Sequence, residues 1–150
     1  MPQRERFGTR DLCYSGFHRT ESMGRYIPYK QAAAMAMVDV DVSQWVECDD
    51  GDKEPLVLIE TAMDRGQDIK PATVMRRLAV RAKLHAFVVL YRLSGSPNPA
   101  DPRVRDIDRF RMQRIWPHPE TSWTILTPQE YARRLYAIRT LKMMELGRIA

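Results

Sequence analysis

Cysteine is scarce: Cys13 and Cys48 are the only two, and they form no Cys-x-x-Cys pair. Neither a disulfide framework nor a cysteine zinc site is called for, and a reducing compartment is the default. Histidine is sparse as well, with His18, His85 and His118 scattered and no His-x-x-His spacing, which argues against zinc chemistry. No run approaches the roughly 18 apolar residues of a membrane span, and the opening MPQRERFGTR lacks an apolar signal segment. No glycine-rich loop leads into Lys-Ser/Thr and there is no Gly-x-Gly-x-x-Gly turn, so ATP and dinucleotides are not expected as cofactors. These absences leave a cytoplasmic protein with no membrane contact as the expectation, in whichever cell hosts it.

What is present suffices for a core. At 150 residues and 44% apolar, the chain fits a single domain spanning 1–150 without staples. The net charge of +5 is unevenly spread: residues 1–70 hold nine Lys/Arg against thirteen Asp/Glu, and residues 71–150 hold fifteen against six. That polarity suits a protein that holds a cation with one part and a polyanion with another. Nineteen of the twenty-four basic residues are Arg, the side chain that makes bidentate phosphate contacts. Arg-rich composition and a solvated face are the competing reading.

The patterns predict elements in order. YKQAAAMAMVDVDV starts as helix and turns to strand from about Ala36 to Trp45. Asp49–Asp52, DDGD, is a turn leading into a second strand, PLVLIETA. Pro71 suits the first turn of a helix running to about Leu84, and AFVVLY reads as a buried strand after it. SGSPNPADPR and the basic stretch after it predict a loop or edge excursion over 94–120. TSWTIL is a short strand, and TPQE a helix start with Thr127 as cap, Pro128 at the first position and Glu130 closing a capping box. That helix should run to about Leu146 and pack through Tyr131, Leu135 and Ile138.

The acids inside the first two strands carry the chemistry. Asp39 and Asp41 share one face of a strand, and Glu60 shares a face with Leu58 and Ala62 on the next. Carboxylates brought together in a partly buried setting repel unless a proton or cation is shared. Mg²⁺ or Mn²⁺ resolves this with oxygen ligands, and such an ion can activate water against a phosphodiester. A solvated hairpin face is the plainer alternative.

DVDVSQWV, a charged turn, EPLVLIE, a helix, AFVVLY and the late TPQEYARRLYAIR together resemble phage and prophage proteins of the PD-(D/E)XK nuclease superfamily, over roughly residues 17–140. The resemblance implies an α/β fold, a mixed central sheet flanked by helices in the restriction-endonuclease manner. It implies Mg²⁺-dependent cleavage of DNA, with Asp41 and Glu60 as metal ligands and Asp39 as alternative or auxiliary ligand. Glu21 matches a first-helix glutamate, and His18 and Arg19 an early His-Arg pair. The motif lysine does not match, because Ala62 stands in its slot. A basic group from a neighbouring element would have to replace it, namely Lys70 or Arg76, Arg77 or Arg81.

Arg76, Arg77 and Arg81 on the predicted helix, and Arg109, Arg111 and Arg114 beside Phe110 and Trp116, are the candidates for nucleic-acid contact. Asp106 and Asp108 lie among them and read as intramolecular ion-pair partners. His85 and His118 read as structural or loop residues. Two functions follow: a Mg²⁺- or Mn²⁺-dependent deoxyribonuclease using Asp41, Glu60 and Lys70, or a catalytically inactive nuclease-like domain that binds nucleic acid or a phage or host protein. The basic excursion is also a candidate contact in a homo-oligomer.

Overall fold

The computed structural model describes residues 20–34, 42–47 and 49–148. The chain divides into two compact units, Met1–Asp39 and Val40–Ala150. In the first, α1 (Thr20–Met23) and α2 (Tyr29–Ala34) are short helices, with Glu21 exposed in α1. Arg25 turns back onto Ser22, its Nε donating to the carbonyl at 3.0 Å and its Nη2 to the hydroxyl at 2.9 Å. His18, Arg19, Asp39 and Asp41 lie outside the described residues.

The second unit is α/β: a mixed five-stranded sheet flanked by helices. Its elements are β1 (Val42–Glu47), β2 (Lys53–Met63), α3 (Thr73–Ala82), β3 (His85–Asn98), β4 (Asp101–Trp116), β5 (Thr124–Leu126) and α4 (Pro128–Glu145). The sheet runs in the order β1-β2-β3-β4-β5, with β2 and β3 parallel and the other pairs antiparallel. A parallel pair needs a crossover, and α3 supplies it.

Leu56 to Ile59 and Ala86 to Leu90 are buried as continuous runs because both faces of the sheet are covered. On one face Val57, Ile59, Phe87, Val89 and Met112 pack with Met143 of α4. Tyr131, Leu135 and Ile138 close over this core as the sequence pattern predicts, and Tyr131 stacks on Phe110 at 3.9 Å. On the other face Leu58 and Ala86 receive Met75 and Ala79 of α3. The capping box of α4 is complete: Glu130 N–H donates to Thr127 Oγ1 at 3.2 Å, and Thr127 N–H donates to Glu130 Oε2 at 2.8 Å. Thr127→Ala is expected to cost about 1 kcal/mol, measured by the midpoint of urea unfolding.

Three expectations need correction. Pro71 precedes α3 rather than opening it: Ala72, at φ −147°, is the N-cap and Thr73 the first helical residue. The predicted strand to Trp45 continues to Glu47, since Trp45, Val46 and Glu47 pair with Pro55, Glu54 and Lys53. The stretch 94–120 is strand rather than loop over most of its length. It forms the outer arms of the β3–β4 hairpin, which pair only with each other and so make an edge excursion, and β4 lies between β3 and β5 only at Phe110–Met112. Gly95 and Pro97 are tolerated because the ladder is irregular there, with register shifts between Leu93 and Pro97 and between Pro97 and Asn98.

Candidate functional site

The face of the sheet toward α3 carries the acidic candidate. Glu60 follows Leu58 by two residues, so it points to the same side as that core residue, just past the area α3 covers. Strand register places Glu60, Val88 and Gln113 in one row across β2, β3 and β4, and Ala62, Leu90 and Arg111 in the next row but one along the strands. Glu60 is only 16% exposed. Its partner is Lys70, whose Nζ lies 3.4 Å from Glu60 Oε1 and whose side chain is 29% exposed. A basic group thus stands beside Glu60 in space, brought from the segment between β2 and α3.

The described strand β1 starts at Val42, which pairs with Ile59, the residue before Glu60. No group of three or more His, Cys, Asp or Glu side chains able to hold a metal ion occurs among the described residues. Glu60 alone offers too few hard oxygen donors to fix a divalent ion.

Beside Lys70 a cleft of about 340 Å³ opens between α3 and β4. From the helix side it is lined by Lys70, Thr73 and Arg76, from the β4 side by Gln113, Arg114 and Ile115, with Val88 between. Pro119 and Glu120 border it, and Glu120 Oε1 accepts the Arg114 N–H at 2.7 Å. Ala72 supplies no side-chain cap to α3.

Further along the same face lies a cluster that sequence reasoning missed. Asp64, 2% exposed, accepts from Arg111 Nη2 at 2.6 Å and Nε at 2.9 Å, from Arg109 Nη2 at 3.1 Å and from the Gly66 N–H at 2.9 Å. The Arg111 hydrogen bond, opposed by burial and aided by Gly66 and Arg109, holds the Asp64 carboxyl far below the usual carboxylate range. Arg111 also lies 5.1 Å from the Trp123 ring, whose Nε1 donates to the Asp68 carbonyl at 2.8 Å. Asp-Arg-Gly, with Gly66 at φ 77°, signals a turn in the sequence, but nothing local signals partners more than forty residues away.

The arginines therefore separate. Arg109 and Arg111 are engaged by Asp64, not by Asp106 or Asp108 as the sequence suggests; Asp108 instead binds Arg92 at 2.7 Å across the hairpin. The reason is strand alternation, which turns Arg109 and Arg111 toward the end of β2. Arg114 lies over the Phe87 ring at 6.0 Å. Arg76, Arg77 and Arg81 are exposed on α3. His85 is half-buried, 3.4 Å from Glu145, and burial holds its imidazole below the usual range despite that carboxylate. No described helix is long and apolar enough to cross a membrane. No protein-family model, no curated protein and no solved structure matches the chain.

Proposed function

We propose that the face bearing Glu60 and Lys70 handles phosphodiesters of DNA, as a metal-dependent hydrolase in which Lys70 replaces the lysine absent at Ala62. The observation that carries this reading is the 3.4 Å approach of Lys70 Nζ to Glu60 Oε1 across ten residues of sequence. Val42, where the described part of β1 begins, pairs with Ile59, the residue before Glu60. Glu60 and Asp41, with Asp39 as auxiliary, would hold Mg²⁺ or Mn²⁺. When bound, such an ion polarises the phosphodiester and lowers the pKa of an attacking water.

The remaining roles fall to the chain itself. The Lys70 ammonium is ion-paired with Glu60 in the free protein and would turn one of its three N–H bonds to a phosphate oxygen or to the attacking water. Arg76, exposed at the rim of the cleft, would pair with a neighbouring phosphate. Arg77 and Arg81 extend the cationic surface along α3.

Incubation of the purified protein with single-stranded, duplex and branched DNA in Mg²⁺ or Mn²⁺ should give cleavage. The second reading is an inactive nuclease-like domain that binds nucleic acid or a phage or host protein, favoured by Glu60 already having a cationic partner. Salt-sensitive DNA binding without cleavage in either ion would assign the protein to it.

A further inference from the structure

We infer that the cleft beside Lys70 binds a single nucleotide, gripping its phosphate from the α3 side and its base or sugar from the β4 side. The inference takes from the proposed function only the class of ligand, and concerns a part of the face distinct from the Glu60 carboxylate.

Size comes first. A cleft of about 340 Å³ lies at the small end of the roughly 300–1,000 Å³ typical of small-ligand pockets. One nucleotide fits such a space, whereas a base-paired duplex segment does not. The ligand is therefore an unpaired nucleotide, at a strand end or free.

Chemistry divides the cleft into two sides. On the α3 side, the Arg76 guanidinium has no hydrogen-bond or ion-pair partner among the described residues, and Lys70 stands next to it along the wall. Thr73 adds a hydroxyl, and the first turn of α3 has N–H groups that no N-cap side chain occupies. A phosphate dianion satisfies this set; a neutral ligand leaves it unmatched. On the β4 side Arg114 also lines the cleft, with its guanidinium held 6.0 Å from the Phe87 ring, while the Gln113 amide has no partner among the described residues and offers both donor and acceptor, as a base edge requires. Val88, Ile115 and Pro119 supply apolar surface for a ring. Glu120 also borders the cleft, and its carboxylate disfavours an anion there. It thereby orients the phosphate toward Arg76.

The test is calorimetric titration of the full chain at low salt with EDTA, so that no divalent ion takes part. The probes are thymidine 5′-monophosphate, thymidine and inorganic phosphate. Saturable binding is expected for the nucleotide, at least about tenfold weaker binding for each of the other two, and a loss of about tenfold or more for the nucleotide in Arg76→Ala. Arg76 is exposed, so that variant should melt like the wild type; Gln113→Ala should weaken the nucleotide while leaving inorganic phosphate unchanged.

Absence of saturable nucleotide binding overturns the inference. Thymidine binding as tightly as its phosphate removes the anion grip, and inorganic phosphate binding as tightly as the nucleotide reduces the cleft to an anion site; either result also overturns it. Glu60→Ala separates this inference from the hydrolase reading, since it should abolish cleavage yet not weaken nucleotide binding, because it removes only a carboxylate that competes for Lys70. Nucleotide binding by a protein that never cleaves DNA sinks the hydrolase alone, and cleavage by a protein that binds no nucleotide sinks the cleft assignment alone.

Discussion

Asp64→Ala should lower the stability of the protein by about 3 kcal/mol, the loss expected when one partner of a buried ion pair is removed. For a chain of this length the melting temperature would fall by roughly 10 °C. Arg111 is 12% exposed and donates two hydrogen bonds to Asp64; without that carboxylate it remains largely buried with only the weak 3.4 Å contact to Gln67 Oε1 and the Trp123 ring. Arg109 loses its partner too, and its Nε is already buried with none among the described residues. The cluster ties the end of β2 to the middle of β4, so the loss should propagate to the turn at Gly66. A variant within 1 kcal/mol of wild type in urea unfolding would refute this role.

The same residue sets a pH dependence. The folded carboxyl lies well below its unfolded value, near 3.9, so its stabilising contribution is fully present at neutral pH. It declines as pH falls below about 4, where the unfolded aspartate takes up protons that the folded one does not. Asp64→Asn should flatten that decline. Asp101, half-buried, and Asp108, exposed, are lowered by Arg103 and Arg92 and will leave a residual slope in the same window.

Lys70→Ala should reduce DNA cleavage by roughly 10²–10⁴-fold, the range for removing a group that assists proton transfer or charge development. Stability should change by less than about 1 kcal/mol, because the Glu60–Lys70 pair is partly open to solvent. The informative companion is Ala62→Lys in the Lys70→Ala background. Ala62 lies on the same side of β2 as Glu60, one pleat along, so a lysine there reaches the same carboxylate from the strand itself. Recovery of at least tenfold would identify the ammonium at this position as the functional group. If Lys70→Ala cleaves like wild type, Lys70 has only the ion-pair role.

Much of the architecture was legible from local pattern. Thr127, Pro128 and Glu130 mark the start of α4 because capping chemistry is complete within four residues. Asp50 and Gly51 mark the β1–β2 turn, where Asp52 N–H donates to Asp50 Oδ1 at 3.0 Å and Gly51 takes φ 84°. AFVVLY announces a strand buried on both faces by its lack of alternation. SGSPNPADPR misleads, since Gly and Pro signal a loop locally while irregular pairing between β3 and β4 absorbs them. Tertiary pairing overrides propensity wherever a long ladder carries the segment.

The sequence by itself determined which side chains each strand turns to which face, because alternation and capping depend on neighbours a few residues apart. Glu60 as a half-buried acid, with alanine two residues on, belongs to that class. Only the tertiary structure decided which charges meet: Lys70 with Glu60, Arg109 and Arg111 with Asp64, Lys70 and Arg76 across a cleft from Gln113. Those meetings depend on the β2–α3–β3 crossover and on β4 pairing along β3, contacts between distant segments that no periodicity encodes. Of the arginines the sequence offers for phosphate contact, Arg109 and Arg111 are thereby engaged in an internal ion cluster, while Arg76, Arg77 and Arg81 stand exposed on α3.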